Sequence, residues 1–239
     1  MRNETITCEA DGIALKSQLF FEPATQARAG VLVFPEAFGL GEHAISRAKR
    51  LAALGYVALA CDIHGGGRLI GDLQEAIGAL GPLYAETSRM RARGLGGLKA
   101  LQQRKEVDPR RIASIGFCFG GTMSLELARS GADIKAVVGF HSGLKTTAPK
   151  TDAKSIHGRV LVCIGADDPF IPLGEREAFE SEMREAGVDW QMHLYGGTVH
   201  SFTNVEAAKR NLPQAMRYSA EADARSWTAM QELFSETLK

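Results

Sequence analysis

Residues 112–121, Ile112-Ala113-Ser114-Ile115-Gly116-Phe117-Cys118-Phe119-Gly120-Gly121, set a thiol between two glycines where a short apolar run gives way to a helical pattern. The pattern is G-x-C-x-G, the thiol counterpart of the G-x-S-x-G elbow, in which a strand turns abruptly into a helix and presents a nucleophile at the apex. Gly116 and Gly120 lie two residues to either side, where a side chain would crowd so sharp a turn. Residues 122–129 read as helix, so Cys118 is expected at a helix N-terminus, whose partial positive charge favours a thiolate. The competing reading is a buried, inert cysteine between loop glycines, because free cysteine is among the most buried residue types.

A thiol nucleophile needs a base, the base needs an orienting group, and the oxyanion needs donors. The elements that would position them alternate. Residues 5–9 and 13–21 read as short strands joined by the turn pair Asp11-Gly12, a candidate antiparallel edge. Residues 30–35 and 56–62 are continuous apolar runs suited to strands buried on both faces. Residues 44–54 between them have helical spacing, ended by Gly55. Residues 69–103 read mainly as helix, broken near Gly81-Pro82. Strands at 111–117, 134–140, 160–165 and 189–195 follow, with a helix at 174–186 and a last helix from about Pro213. In that helix Trp227, Met230, Phe234 and Leu238 form an apolar stripe expected to pack into the core. Such alternation implies one α/β domain over 1–239: a mostly parallel sheet, helices on both faces and an antiparallel N-terminal edge. Ligands of such sheets bind beyond the C-terminal strand ends, at the loops beginning near Pro35, His64, Cys118, His141, Asp167 and Tyr195.

Two of those loops carry the missing chemistry. Gly165-Ala166-Asp167-Asp168-Pro169-Phe170-Ile171-Pro172 offers a carboxylate after one strand, and Gly196-Gly197-Thr198-Val199-His200-Ser201-Phe202 an imidazole after the next. The order nucleophile, acid, histidine is that of the α/β-hydrolase triad. A turn carboxylate before proline is the plain alternative for Asp168. His200, amid glycine and serine, is awkward as a core residue. The triple glycine after His64 lacks the Gly-Lys-[Ser/Thr] of a phosphate loop, which argues against a nucleotide site there.

With these motifs in place the chain resembles the dienelactone hydrolase family of α/β-hydrolases, the carboxymethylenebutenolidase-like proteins. The resemblance rests on the cysteine elbow at 116–121, the acid segment at 165–172 with isoleucine for the family's valine, the histidine loop at 196–202, and Phe34-Pro35-Glu36-Ala37-Phe38-Gly39-Leu40. It extends from Val31 to the segment 222–227. It implies Cys118 as nucleophile, His200 as base and acid, Asp168 rather than Asp167 as its orienter, and Glu36 as a carboxylate able to take the thiol proton. It also implies an oxyanion hole from the backbone N–H groups of Ala37 and Phe119. Phe38, His141 and Ser201 are candidate substrate-binding residues by position, and His141 could equally be structural. In members that cleave dienelactone, arginines bind the substrate carboxylate, one of them four residues after the histidine. Asn204 stands there instead, and Arg68, Arg89, Arg91 and Arg93 are open candidates for the other.

Lysine plus arginine equals aspartate plus glutamate, 28 against 28, so no global field recommends nucleic acid or an anionic membrane as partner. The N-terminus has no apolar leader pattern and no stretch approaches the length of a membrane span, so a cytoplasmic location is expected. The four cysteines, Cys8, Cys61, Cys118 and Cys163, are scattered, which signals neither a disulfide framework nor a zinc site. The expectation is therefore a cofactor-free and metal-free cysteine hydrolase of a small ester or lactone, monomeric or homodimeric, working through an acyl-thioester. The alternatives are a thioesterase or general carboxylesterase, or a non-catalytic ligand-binding or redox-sensing thiol protein.

Overall fold

Asp11 and Gly12 both adopt left-handed backbone, with φ of 52° and 70°, the requirement of a two-residue hairpin turn. The computed structural model describes the backbone of residues 1–239 and every side chain except that of Lys150. On either side of the turn, β1 (Arg2–Ala10) and β2 (Ile13–Phe21) pair antiparallel in a continuous register from Arg2 opposite Phe21 to Ala10 opposite Ile13. β2 then pairs antiparallel with β4 (Val57–Ala60). Beyond it β3 (Arg28–Phe34), β5 (Val107–Phe117), β6 (Ala136–Phe140), β7 (Arg159–Gly165) and β8 (Trp190–Tyr195) continue in parallel, in the order β1-β2-β4-β3-β5-β6-β7-β8. The mostly parallel sheet with an antiparallel N-terminal edge thus forms as the apolar runs imply.

Both faces are covered. On one, α1 (Glu42–Ala53) and α6 (Ala220–Thr237) bury Ala48, Leu51, Trp227, Met230 and Phe234 against Val31, Val33, Ile115 and Val138. On the other, α2 (Leu73–Ala85), α3 (Thr87–Gln102), α4 (Phe119–Arg129) and α5 (Leu173–Ala186) pack on Leu32, Phe34, Leu59 and Val162. The alternate residues of β3 divide between the two cores, as the two-residue period of a strand demands. Among the described residues no helix is long and apolar enough to cross a membrane.

β5 begins at Val107 rather than 111 and the first of the helices expected over 69–103 at Leu73 rather than 69, and two further helix boundaries differ from expectation. The break predicted near Gly81-Pro82 falls later, at Glu86, and Pro82 sits inside α2. The proline removes one donor, but the backbone recovers at once, since Glu86 N–H still reaches the Pro82 carbonyl at 3.2 Å. The last helix starts at Ala220, capped by Ser219, rather than near Pro213. Residues 213–219 are instead drawn alongside the histidine loop: His200 N–H donates to the Ala215 carbonyl at 2.9 Å, Arg217 N–H to the His200 carbonyl at 3.0 Å, and Ser219 N–H to the Phe202 carbonyl at 3.0 Å.

Candidate active site

β5 ends at Phe117, α4 begins at Phe119, and Cys118 between them takes φ 54°, ψ −122°. A non-glycine residue in this region stores on the order of 1–3 kcal/mol of strain, retained only where the surroundings overdetermine it. They do so here by close approach. A Cβ on Gly116 would fall 1.9 Å from the Gly120 carbonyl oxygen, and one on Gly120 would fall 2.3 Å from the Phe34 oxygen. The glycines are therefore what lets β5, α4 and the loop after β3 converge, and they bring Ala37 and Phe119 beside Cys118. Neither N–H donates to a protein acceptor among the described residues, which leaves both available to an oxyanion.

His200 lies at the apex of the loop after β8 and is buried. Its Nδ1–H donates to Asp168 Oδ2 at 2.7 Å. Asp168 is buried and its other oxygen accepts the Phe170 N–H at 2.9 Å, while Asp167 is exposed. Burial opposes charge on His200, yet its interactions with Cys118 and Asp168 outweigh burial and raise its pKa above the ordinary 6.5. Cys118 is half-buried and lines one cavity with His200, Ala37, Phe38 and Phe119.

Glu36 is 8% exposed and each of its carboxylate oxygens accepts one side-chain hydrogen bond. Ser201 Oγ donates to Oε1 at 3.1 Å and Asn204 Nδ2 to Oε2 at 2.6 Å. Asn204 uses its other end too, accepting the Glu206 N–H at 2.9 Å. The residue that replaces the family's arginine is thus a clamp on Glu36.

Of the three residues picked as substrate-binding by position, Phe38 lines the cavity; His141 and Ser201 do not. Ser201, at φ 54°, turns its hydroxyl back to Glu36. His141, at φ 41°, is wholly buried behind the elbow. Its Nδ1 accepts the Cys118 N–H at 3.1 Å, an N–H shared with the Phe140 carbonyl at 3.0 Å. That fixes the tautomer, so Nε2–H donates to Thr203 Oγ1 at 2.8 Å. Burial, then the adjacent His200, holds the His141 pKa well below 6.5, in the neutral form this acceptor role needs. The two rings meet edge-on, their centroids 5.0 Å apart.

Sequence reasoning passed over Thr203, which joins His141 to His43 Nε2 at 3.2 Å, and gave His64 no role. His64 Nε2–H donates to the Ala37 carbonyl at 2.8 Å and so orients the peptide that follows Ala37. The one available signal was that His64 opens a loop at a strand end. The candidate arginines lie elsewhere. Arg68 pairs with Glu75 on the surface, Arg89 and Arg93 with Asp11, and Arg91 with Glu126 and Asp152.

The fold recurs in known proteins. A solved structure named m3DLH is 44% identical and superposes with a TM-score of 0.95, covering 100% of this chain and 99% of that one. A dienelactone hydrolase-like promiscuous phosphotriesterase from metagenomic libraries is 41% identical with a TM-score of 0.94, over 100% and 99% of the two chains. A Synechocystis protein named "Putative carboxymethylenebutenolidase" is 31% identical over 87% of this chain and 86% of its own length. The sheet and its helical layers are therefore an α/β-hydrolase fold. The model of the dienelactone hydrolase family matches residues 17–238, and the chain belongs to that family.

Proposed function

We propose that this hydrolase cleaves small carboxylic esters or lactones through a covalent thioester on Cys118. The observation that carries the reading is the buried Asp168–His200 pair, bonded at 2.7 Å, opening on the same cavity as a cysteine held at the apex of a strained strand-to-helix turn. The raised pKa of His200, which Asp168 helps to hold, keeps an imidazolium available as the acid of the first step. The Cys118 thiolate attacks the carbonyl carbon, and the oxyanion is received by the N–H groups of Ala37 and Phe119. Collapse breaks the C–O bond; the leaving alkoxide takes the proton from His200, and the acyl group remains as a thioester. Neutral His200 then removes a proton from water, whose hydroxide attacks the thioester, and the thiolate is expelled.

The reading assigns Glu36 a place beside this cycle. Glu36 already accepts one hydrogen bond on each oxygen, from Ser201 and Asn204, and His200 is the base held by Asp168. Turnover of p-nitrophenyl acetate by wild type and Cys118→Ala is the direct test: loss of at least about 1,000-fold is expected, and unchanged activity would refute the assignment. A second reading is phosphotriester hydrolysis by the same thiolate, favoured by the 41% identity to a phosphotriesterase. Release of nitrophenol from diethyl 4-nitrophenyl phosphate, lost in the same variant, would support it.

A further inference from the structure

The cavity over Cys118 measures about 590 Å³, room for a substrate rather than a water. Its walls come from three directions: Ile77 and Tyr84 of α2, Phe170 of the acid loop, and Leu212 and Met216 of the segment before α6. Ile77, Tyr84, Phe170 and Leu212 remain 42–53% exposed. Four large apolar side chains left in water around one hollow mark a surface that a ligand covers.

Charge in this hollow is cancelled in pairs. Apart from the catalytic pair, the charged lining residues are Lys145 and Glu175, and Lys145 Nζ lies 3.4 Å from Glu175 Oε2. Glu175 is fixed, with its side chain only 5% exposed and Oε1 accepting the Leu144 N–H at 2.7 Å. The Lys145 side chain is 80% exposed, so it is the mobile member. Among the described residues no arginine lines the cavity. Arg210, nearby, lies over the Phe38 ring and donates to the Gly71 carbonyl at 3.4 Å. A substrate carboxylate entering here would lose its hydration, find no unpaired cation among the described lining residues, and face the fixed negative charge of Glu175.

We propose that the cavity selects uncharged, apolar esters and rejects those carrying a carboxylate, and that Glu175 sets this selectivity by neutralising Lys145. The proposal rests on the ester-hydrolase reading for its catalytic readout but not for its binding readout. Two pairs of matched esters test it. p-Nitrophenyl 5-methylhexanoate and mono-p-nitrophenyl glutarate are near-isosteres that differ by charge on the acyl group; methyl 4-acetoxybenzoate and 4-acetoxybenzoate differ by charge on the leaving group. Wild type should prefer the neutral member of at least one pair by about tenfold or more in kcat/KM. In Glu175→Gln the amide oxygen can still accept the Leu144 N–H while Lys145 is released, so the preference should shrink by at least about threefold, as expected when a counter-charge becomes available. In Lys145→Met, where Glu175 loses its cation, the preference should widen.

Equal or reversed preference in wild type for both pairs overturns the substrate class. A large preference that neither variant changes overturns the role of Glu175. Calorimetry with Cys118→Ala protein, which needs no turnover, should give the same order of affinities, and equal binding of the neutral and charged members overturns the proposal even if no ester is cleaved. Conversely, ester turnover that survives Cys118→Ala refutes the thioester reading and leaves the binding result standing.

Discussion

Glu36 has both oxygens committed within the histidine loop, so the side chains that hold it are as informative as the acid itself. Removing one of them strands a buried carboxylate oxygen. Asn204→Ala is expected to cost about 1–3 kcal/mol, read as a shift in the thermal or urea midpoint. Glu36→Gln separates two roles. If Glu36 deprotonates the thiol, the acid limb of the pH–rate profile moves; if it only positions Ser201 and the loop, kcat falls alike at every pH. The adjacent histidines titrate in opposite senses. His141 is depressed below 6.5 in the folded state, so below that pH the unfolded chain binds the extra proton, and stability intact above about 6.5 is lost as pH falls. His200 is raised, so its contribution is fully present below about 6.5 and is lost as pH climbs through its folded value. Denaturation at a series of pH values should therefore show wild type losing more stability on acidification than His141→Asn. The His200 ring resonances should still report imidazolium at neutral pH.

At the scale of elements, the elbow is a three-way junction, and its tolerances are backbone to backbone. Gly120→Ala would drive a methyl into the Phe34 and Pro35 carbonyls, 2.3 and 2.4 Å from the ideal Cβ; no flexible side chain can yield there, and little folded protein is expected in the soluble fraction. Helix α4 is pinned at its far end by Arg129, wholly buried, which donates to Glu182 at 2.8 and 2.7 Å, to Glu126 at 3.1 Å and to the Leu144 carbonyl at 3.0 Å. Arg129→Met leaves Glu182 without its cation, and a loss of about 3–5 kcal/mol is expected in equilibrium unfolding. The sequence made the strands easy to see, because β3, β4 and β6 are unbroken apolar runs whose length and flanking glycines admit little else. It hid the start of the last helix, since residues 213–219 are called away by backbone groups of His200 and Phe202, a tertiary demand with no local signature. It hid the role of His141 for a related reason: a histidine at a strand end reads as a pocket residue until the Cys118 N–H, 23 positions earlier, is seen to occupy its Nδ1.

Over the whole molecule, β3 is the strand from which the chain departs in opposite directions, with β4 on one side and β5 on the other. A crevice opens at such a reversal, and here the Glu36–Ala37 loop and the Cys118 elbow face each other across it. This made the candidate residues legible in the sequence: Glu36 follows β3, Cys118 follows β5, Asp168 follows β7 and His200 follows β8. What composition could not reveal was how the two cores share the work. Trp227, 1% exposed in the core beneath α1 and α6, lies in the layer opposite the cavity walls. Trp227→Ala is expected to cost about 3–5 kcal/mol of stability, with KM for a neutral ester little changed at temperatures where the fold persists. Met216 has no such independence. It forms part of the cavity wall and is also the residue bridged to His200. A change that displaces the Met216 backbone would therefore move His200, whereas trimming Leu73 or Ile77 on α2 would not. Variation in acyl size, in nature or in an engineered series, is thus channelled onto the α2 wall, which makes that helix the adjustable jaw of the enzyme and the opposite wall its fixed anvil.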